Sequence, residues 1–234
     1  MSAGKLLLLP DVLDETLPSE MFLPAGLNTA VQTICGLIVE SEKVGRRYLR
    51  RFLTHEQMAQ MPLRVLNEHT QPKDLEEYME PLRRGEIWGL ISDAGLPCIA
   101  DPGSEIVALC HSNGIHVETF AGPSSILMAL QLSGFSGQRF TFHGYLPREI
   151  PDLERKIFAL EKEAHLSTQI WIEAPYRSQK MLDLLKTILS PKTRLCVAAS
   201  LTFPNSRTVS LPMEKWKTFS FSLQKEPAVF LIFA

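Results

Sequence analysis

Three stretches of this 234-residue chain carry residue types able to hold or activate a polar ligand, and each follows an apolar run. The first is SDAGLPCIADPG, Ser92 to Gly103, directly after IWGLI. Gly95 and Gly103 permit positive φ or close backbone approach, and Pro97 and Pro102 stiffen the turn. Main-chain N–H and C=O groups fixed in this way can grip a polar ligand. A plain strand-to-helix connection, with Asp101 and Ser104 capping the next helix, accounts for the spacing equally well. The second stretch is AGPSSI, Ala121 to Ile126. There Gly122 allows close approach and Ser124 and Ser125 place hydroxyls at a helix start, for a ligand or for capping. The third is IEAPYRS, Ile172 to Ser178, where Glu173 ends a buried-looking strand. A buried charge needs a partner, Arg177 can supply it, and a structural ion pair is the plainer reading.

Other chemistry-bearing residues stand singly. Glu68 and His69 lie in VLNEHTQP and His143 in FHGYLP, and an isolated histidine is more often structural than catalytic. Lys43, Arg46, Arg47, Arg50 and Arg51 lie on one segment. They make either a solvated face or a local rim for phosphate contact. Several motifs are absent: G-x-G-x-x-G after the first strand, a phosphate-binding G-x-x-x-x-G-K-[ST] loop, H-E-x-x-H and G-x-S-x-G. Neither a metal site nor a covalent nucleophile is expected.

The elements that must position these residues alternate. KLLLLP reads as a first strand, and LNTAVQTICGLIVE as a helix running into a strand at Gly36–Glu40. EKVGRRYLRRFL is a basic amphipathic helix with Val44, Tyr48, Leu49 and Phe52 on one face. Strand and helix patterns then succeed one another to a final strand, PAVFLIFA. Strands separated by helices of 10 to 15 residues imply βαβ units and largely parallel sheets, with ligand loops at the strands' carboxyl ends. The irregular segment near Phe120–Ser125 suggests a break, giving domains 1–119 and 120–234.

Hydrophobic residues at 45 % and charged residues at 21 % are ordinary globular composition. A net charge of −2 argues against binding nucleic acid by bulk charge, so an RNA partner must be met by a local patch. Cys35, Cys98, Cys110 and Cys196 form no C-x-x-C pair and fit a reduced, cytoplasmic protein. No apolar run reaches the ~18 residues of a membrane span, and the four-leucine run before Pro10 is too short for a signal sequence.

Four ordered motifs, LISDAGLPCIADPGSEIV, FAGPSSILMALQLSG, FTFHGYLPRE and WIEAPYRSQKMLDLL, resemble the tetrapyrrole-methylase superfamily. Within it, the chain is most similar to the small-subunit ribosomal RNA cytidine 2′-O-methyltransferases. The resemblance implies two α/β domains, S-adenosylmethionine (SAM) in the cleft between them, and a homodimer. It assigns the methionine part of SAM to Ser92, Asp93, Ala94, Gly95 and Cys98. It adds Leu13, Ser124 and Ser125, and places Glu173, Leu201, Thr202, Pro227 and Ala228 toward the adenosine side. Ribosomal RNA or the small subunit is the implied partner, S-adenosylhomocysteine the product, and Lys43 to Arg51 the RNA rim. The first loop, LLLPDVLDETLP, departs from the family pattern, with Asp14 near an expected glycine. In VESEKVGRR, Glu40 matches the family, but Ser41, Glu42 and Lys43 replace Asp, Thr and Arg. The sequence reads to its last strand, and on this reading no further RNA-binding tail is expected.

A 2′-hydroxyl acceptor needs a base, for which Glu40, Glu68, His69 and Asp101 are the candidates. The second turn, Asp101-Pro102-Gly103, is expected mainly to cap the following helix. Two other readings stay open: a small-molecule, tetrapyrrole-type methyltransferase, and a SAM-binding module without catalysis.

Overall fold

The computed structural model describes residues 4–234, which divide into two compact units, the first ending at Pro123 and the second beginning at Ser124. In the first unit β1 (Lys5–Leu8), β2 (Gly36–Val39), β3 (Leu63–Val65), β4 (Ile87–Leu90) and β5 (His116–Thr119) form a sheet of order β3-β2-β4-β1-β5. Every pairing is parallel. The helices are α1 (Gly26–Val31), α2 (Glu42–Leu49), α3 (His55–Gln60), α4 (Pro72–Arg83) and α5 (Ser104–Ser112).

Alternation along the strands feeds two cores. Leu7, Leu37 and Val39 pack with Leu27, Tyr48 and Leu49 on one face. Leu6, Ile38 and Leu90 pack with Met79, Leu82 and Ile106 on the other. The amphipathic reading of α2 holds, because Val44, Tyr48 and Leu49 are among its buried residues. The strand ends are in register: Ile91 N donates to Ile38 O at 3.0 Å and Leu9 N to Leu90 O at 2.9 Å. That alignment brings the loops after β1, β2 and β4 to one level.

In the second unit β6 (Phe140–Tyr145), β7 (Thr168–Glu173), β8 (Arg194–Ala199), β9 (Arg207–Pro212) and β10 (Ala228–Phe233) are ordered β6-β7-β10-β8-β9. Only β6 and β7 run parallel; the other pairs are antiparallel. This sheet is therefore mixed rather than largely parallel. The Ser200–Ser206 connection from β8 to β9 is too short for a crossover, which takes about a dozen residues. Helices α7 (Ile150–Glu163) and α8 (Ser178–Ile188) cover the face bearing Trp171 and Phe230. Helix α6 (Ser125–Ser133) covers the face bearing Ile170 and Leu231. The short α9 (Met213–Trp216) buries Trp216, whose Nε1 donates to Leu195 O at 2.8 Å. No helix among the described residues is long and apolar enough to cross a membrane.

Candidate functional site

In the first unit the strand register gathers acids at the ends of β2 and β4. Glu40, one residue past β2, accepts a hydrogen bond from Asp93 N at 3.0 Å. Burial pushes the Glu40 carboxyl up to about 7; the Asp93 N–H opposes this, and the Asp101 and Asp93 charges add to it. Asp101 rises to about 6, again through burial first, with Ser92 opposing and Asp93 adding. The Ser92 hydroxyl is buried, with the Ala94 carbonyl at 3.1 Å. Crowded, half-buried carboxylates of this kind can accept a proton near neutral pH.

The Asp101 turn does not cap α5. Gly103, at φ 129°, occupies the N-cap and no side chain caps the helix. Asp101 is instead drawn into the acidic group, because the chain turns through positive φ at Gly103 before the helix starts.

The loop after β4 is tied to the loop after β1. Asp11 N donates to Gly95 O at 2.8 Å and Gly95 N to Asp11 O at 3.2 Å. Gly95 has φ +75°, and a Cβ there would lie 3.3 Å from Leu13 Cδ2, so Leu13 packs directly on it. Cys98 and Ala100 each have φ 67°, an unfavourable conformation for non-glycine residues that marks a constrained loop. Burial lifts the Cys98 thiol to about 11, with Glu105 and Asp101 adding, which keeps it protonated.

Helix α2 is only in part the free basic rim that its sequence suggests. Arg51 is paired with the buried Asp11 and Arg47 with Glu15, both acids of the first loop. Arg46 donates to the carbonyls of Met58 and Met61. Lys43 and Arg50 are exposed and form no ion pair among the described residues. Even beside Arg51, burial leaves Asp11 above the usual carboxylate range. The unusual first loop is ordered by its own acids as well, since Asp14 accepts from Thr16 N and Oγ1, each at 2.8 Å. Sequence reading missed these pairings; the signal was an acidic loop followed by a basic helix at no fixed spacing.

Glu68 and His69 stand outside the acidic group. Their side chains are 86 % and 83 % exposed and lie 3.7 Å from each other. No hydrogen bond or ion pair joins them to Glu40, Asp93 or Asp101 among the described residues.

In the second unit Ala228 is opposite Glu173 on one side and Ala199 on the other. Ser200 N donates to Pro227 O at 3.0 Å. Glu173, Leu201, Thr202, Pro227 and Ala228 therefore gather at one end of the sheet. Ser200 and Thr202 have φ 50° and 73°, and the Thr202 hydroxyl is buried without a partner. Ser124 caps α6, its Oγ accepting from Leu127 N at 3.4 Å, and Ser125 is the first helical residue.

The expected Glu173–Arg177 ion pair forms, with Nη2 and Oε2 3.2 Å apart. It is a charge contact rather than a hydrogen bond. Arg177 Nη2 donates to Pro147 O at 3.0 Å, and Glu173 Oε2 is buried with no hydrogen-bond partner. Glu173 Oε1 accepts from Ala174 N at 2.9 Å. Burial raises the Glu173 carboxyl above its usual range, against the lowering effects of the Ala174 N–H and Arg177. His143 lies 2.7 Å from Gln169 Oε1 and is a structural residue of the edge strand pair. No group of three or more His, Cys, Asp or Glu able to hold a metal occurs among the described residues.

The fold is similar to that of the methyltransferase CobJ, with TM-score 0.63 at 13 % identity, covering 100 % of this chain and 94 % of that one. Uroporphyrin-III-C-methyltransferase from Thermus thermophilus gives 0.54 at 15 % identity, covering 98 % and 94 %. In sequence the chain is 36 % identical over 128 residues to the ribosomal RNA small subunit methyltransferase I of Thermotoga maritima, 55 % of each chain. It is 35 % identical over 156 residues to that of Xylella fastidiosa, covering 67 % of this chain and 56 % of the relative. For Pseudomonas aeruginosa the values are 30 % over 174 residues, 73 % and 61 %. The aligned part thus spans little more than half the length of these curated relatives. The profile of the Tetrapyrrole (Corrin/Porphyrin) Methylases matches residues 33–216, and the chain belongs to that family.

Proposed function

We propose that this protein methylates a ribose 2′-hydroxyl of small-subunit ribosomal RNA, using SAM and releasing S-adenosylhomocysteine. The observation that carries the reading is Glu40. It sits at a strand's carboxyl end, fixed by the Asp93 N–H, with its carboxyl near 7. The names of the relatives supply the substrate class.

SAM brings a methyl group on a sulfonium, a leaving group that needs no further activation. The protein's work is then to position the acceptor and remove its proton. Glu40 is the proposed base. Burial keeps its pKa high, the Asp101 and Asp93 charges add to that, and the Asp93 N–H aims it. The exposed Glu68 and His69 are set aside, because no hydrogen bond or ion pair joins either to the acidic group among the described residues.

The residues present fit the cofactor. Left-handed backbone at Cys98, Ala100 and Thr202 shapes the loops that would face its polar ends, while Gly95 is tied to Asp11 through both of its main-chain groups. The unpartnered Thr202 hydroxyl awaits a hydrogen bond. Leu13, Leu201 and Ala228 supply apolar contact. Ser92, Asp93, Ala94 and Cys98 would hold the methionine part, Ser124 and Ser125 the helix-start contacts, and Glu173 and Pro227 main-chain contacts. Lys43 and Arg50 would form the rim toward RNA. A homodimer in the cytoplasm, acting on the small subunit or its RNA, completes the proposal.

The test is incubation with methyl-labelled SAM and small subunits from cells lacking the protein. Label on a ribose of the RNA is expected. Label on a small molecule, or none, would refute the assignment.

A further inference from the structure

The second unit contains a cavity of about 410 Å³ where the β6–α7 and β7–α8 connections meet α7 and α8. A recess of about 200 Å³ shares Arg148, Glu173, Tyr176 and Arg177 with it. The larger volume lies within the roughly 300–1,000 Å³ of small-ligand sites. Three cations line it, Arg148, Arg177 and Lys180, against one carboxylate, Glu173.

These charges do not cancel. Arg177 is fixed by the Pro147 carbonyl and faces Glu173. Arg148 and Lys180 are exposed and form no ion pair among the described residues. The surplus favours an anion and disfavours a sulfonium ligand such as SAM. Glu173 is 3 % exposed, yet its Oε2 accepts no hydrogen bond, so a buried acceptor at the cavity awaits a donor. Tyr176 is 65 % exposed and offers a ring face, while Met181 of α8 contributes apolar lining.

We propose that this cavity is a nucleotide subsite for single-stranded RNA, resting on the RNA reading above. A phosphodiester sits between Arg148 and Lys180, a base stacks on Tyr176, and a ribose hydroxyl donates to Glu173. Phosphate alone would use the cations but leave the carboxylate acceptor and the aromatic face idle. The hydroxyl contact also separates RNA from DNA. This places substrate contacts on the second unit.

The test measures binding of a fluorescent single-stranded 12-nucleotide oligoribonucleotide to the full chain by anisotropy, beside SAM binding by calorimetry. Arg148→Glu with Lys180→Glu should weaken RNA binding at least about tenfold. The log–log slope of affinity against salt should become shallower by about 0.7 for each phosphate no longer neutralised. SAM affinity should stay within about twofold. Tyr176→Ala should weaken binding by about fivefold or more, and Tyr176→Phe should restore it, because only stacking is required. The deoxy oligonucleotide should bind more weakly than the RNA.

Unchanged RNA affinity in the double variant, with the wild type still methylating RNA, overturns the subsite and leaves the enzyme reading intact. Loss of RNA binding in the double variant, with a wild type that transfers no methyl group, supports the subsite and refutes the enzyme reading. Displacement of the oligonucleotide by an equal concentration of inorganic phosphate would make this a free-phosphate site and overturn the RNA assignment. Equal binding of the deoxy oligonucleotide overturns the role given to Glu173.

Discussion

Glu40 combines a fixed direction with a proton affinity set by burial and by its acidic neighbours. As the base it works only when ionised, so the methylation rate should rise with pH and reach half its plateau near 7. Glu40→Gln keeps the acceptor for Asp93 N but cannot take a proton, and should lower turnover by about 10²- to 10⁴-fold. A rate within threefold of wild type would exclude Glu40. The same substitution has a stability signature. Folding raises this carboxyl from its ordinary 4.5 to about 7, so the native state binds the proton more tightly than the unfolded state. Native stability therefore falls as pH climbs from about 4.5 to 7, a loss that the Gln variant escapes. Thermal melts should show the variant gaining on wild type across that window and holding a constant lead above it. A lead that does not change with pH would rule out the raised pKa. Glu40 itself was legible in the sequence, as the residue that still matches the family in a stretch whose next three residues do not. Its proton affinity was not, because that depends first on burial and then on Asp93 and Asp101, more than 50 positions away.

At the scale of elements, α2 and the two residues after it separate structural arginines from free ones. Arg51 compensates the buried Asp11, and removing one partner of a buried pair leaves an unpaired charge, at a cost of about 3–5 kcal/mol. Arg51→Met should show a loss of that order in urea denaturation. Adding Asp11→Asn should recover much of it, since the stranded charge is gone. If the double variant is no more stable than Arg51→Met, the pairing account fails. Lys43→Glu with Arg50→Glu should leave the urea midpoint nearly unchanged and weaken RNA binding, in a salt-dependent way. Normal RNA affinity in that variant would remove α2 from the RNA surface. The helix and its buried face were readable from periodicity. Which cations were spent internally was not, because the acidic loop meets them only after β1 joins the sheet and α2 packs on the face that bears Leu7.

For the whole molecule, each unit carries its own two-faced sheet. A ligand that binds only the folded chain stabilises it by about 2.7 kcal/mol at 100 times its Kd. For a protein of this size that is a rise of roughly 5–11 °C in Tm. SAM should produce such a shift, and none at saturating concentration would refute the cofactor proposal.

Taken by itself, the sequence determined the α/β class and the order of most elements, and it picked out three strand-end loops as candidates for ligand contact. These follow from local rules: apolar periodicity, glycine and proline punctuation, and the placement of loops at strand ends. The three-residue β3 was too short to show a pattern, and the half-buried edge strand β9, with Val209 and Leu211 alternating, was passed over. Only the tertiary structure decided the antiparallel pairing of β10 and the release of Asp101 from a capping role. It alone also decided the pairing of Arg47 and Arg51 with the first loop, and the meeting of Arg148, Glu173, Tyr176 and Lys180 around one cavity. All of these rest on contacts between residues distant in the chain, and their energies are set by burial and by neighbouring charge rather than by sequence spacing.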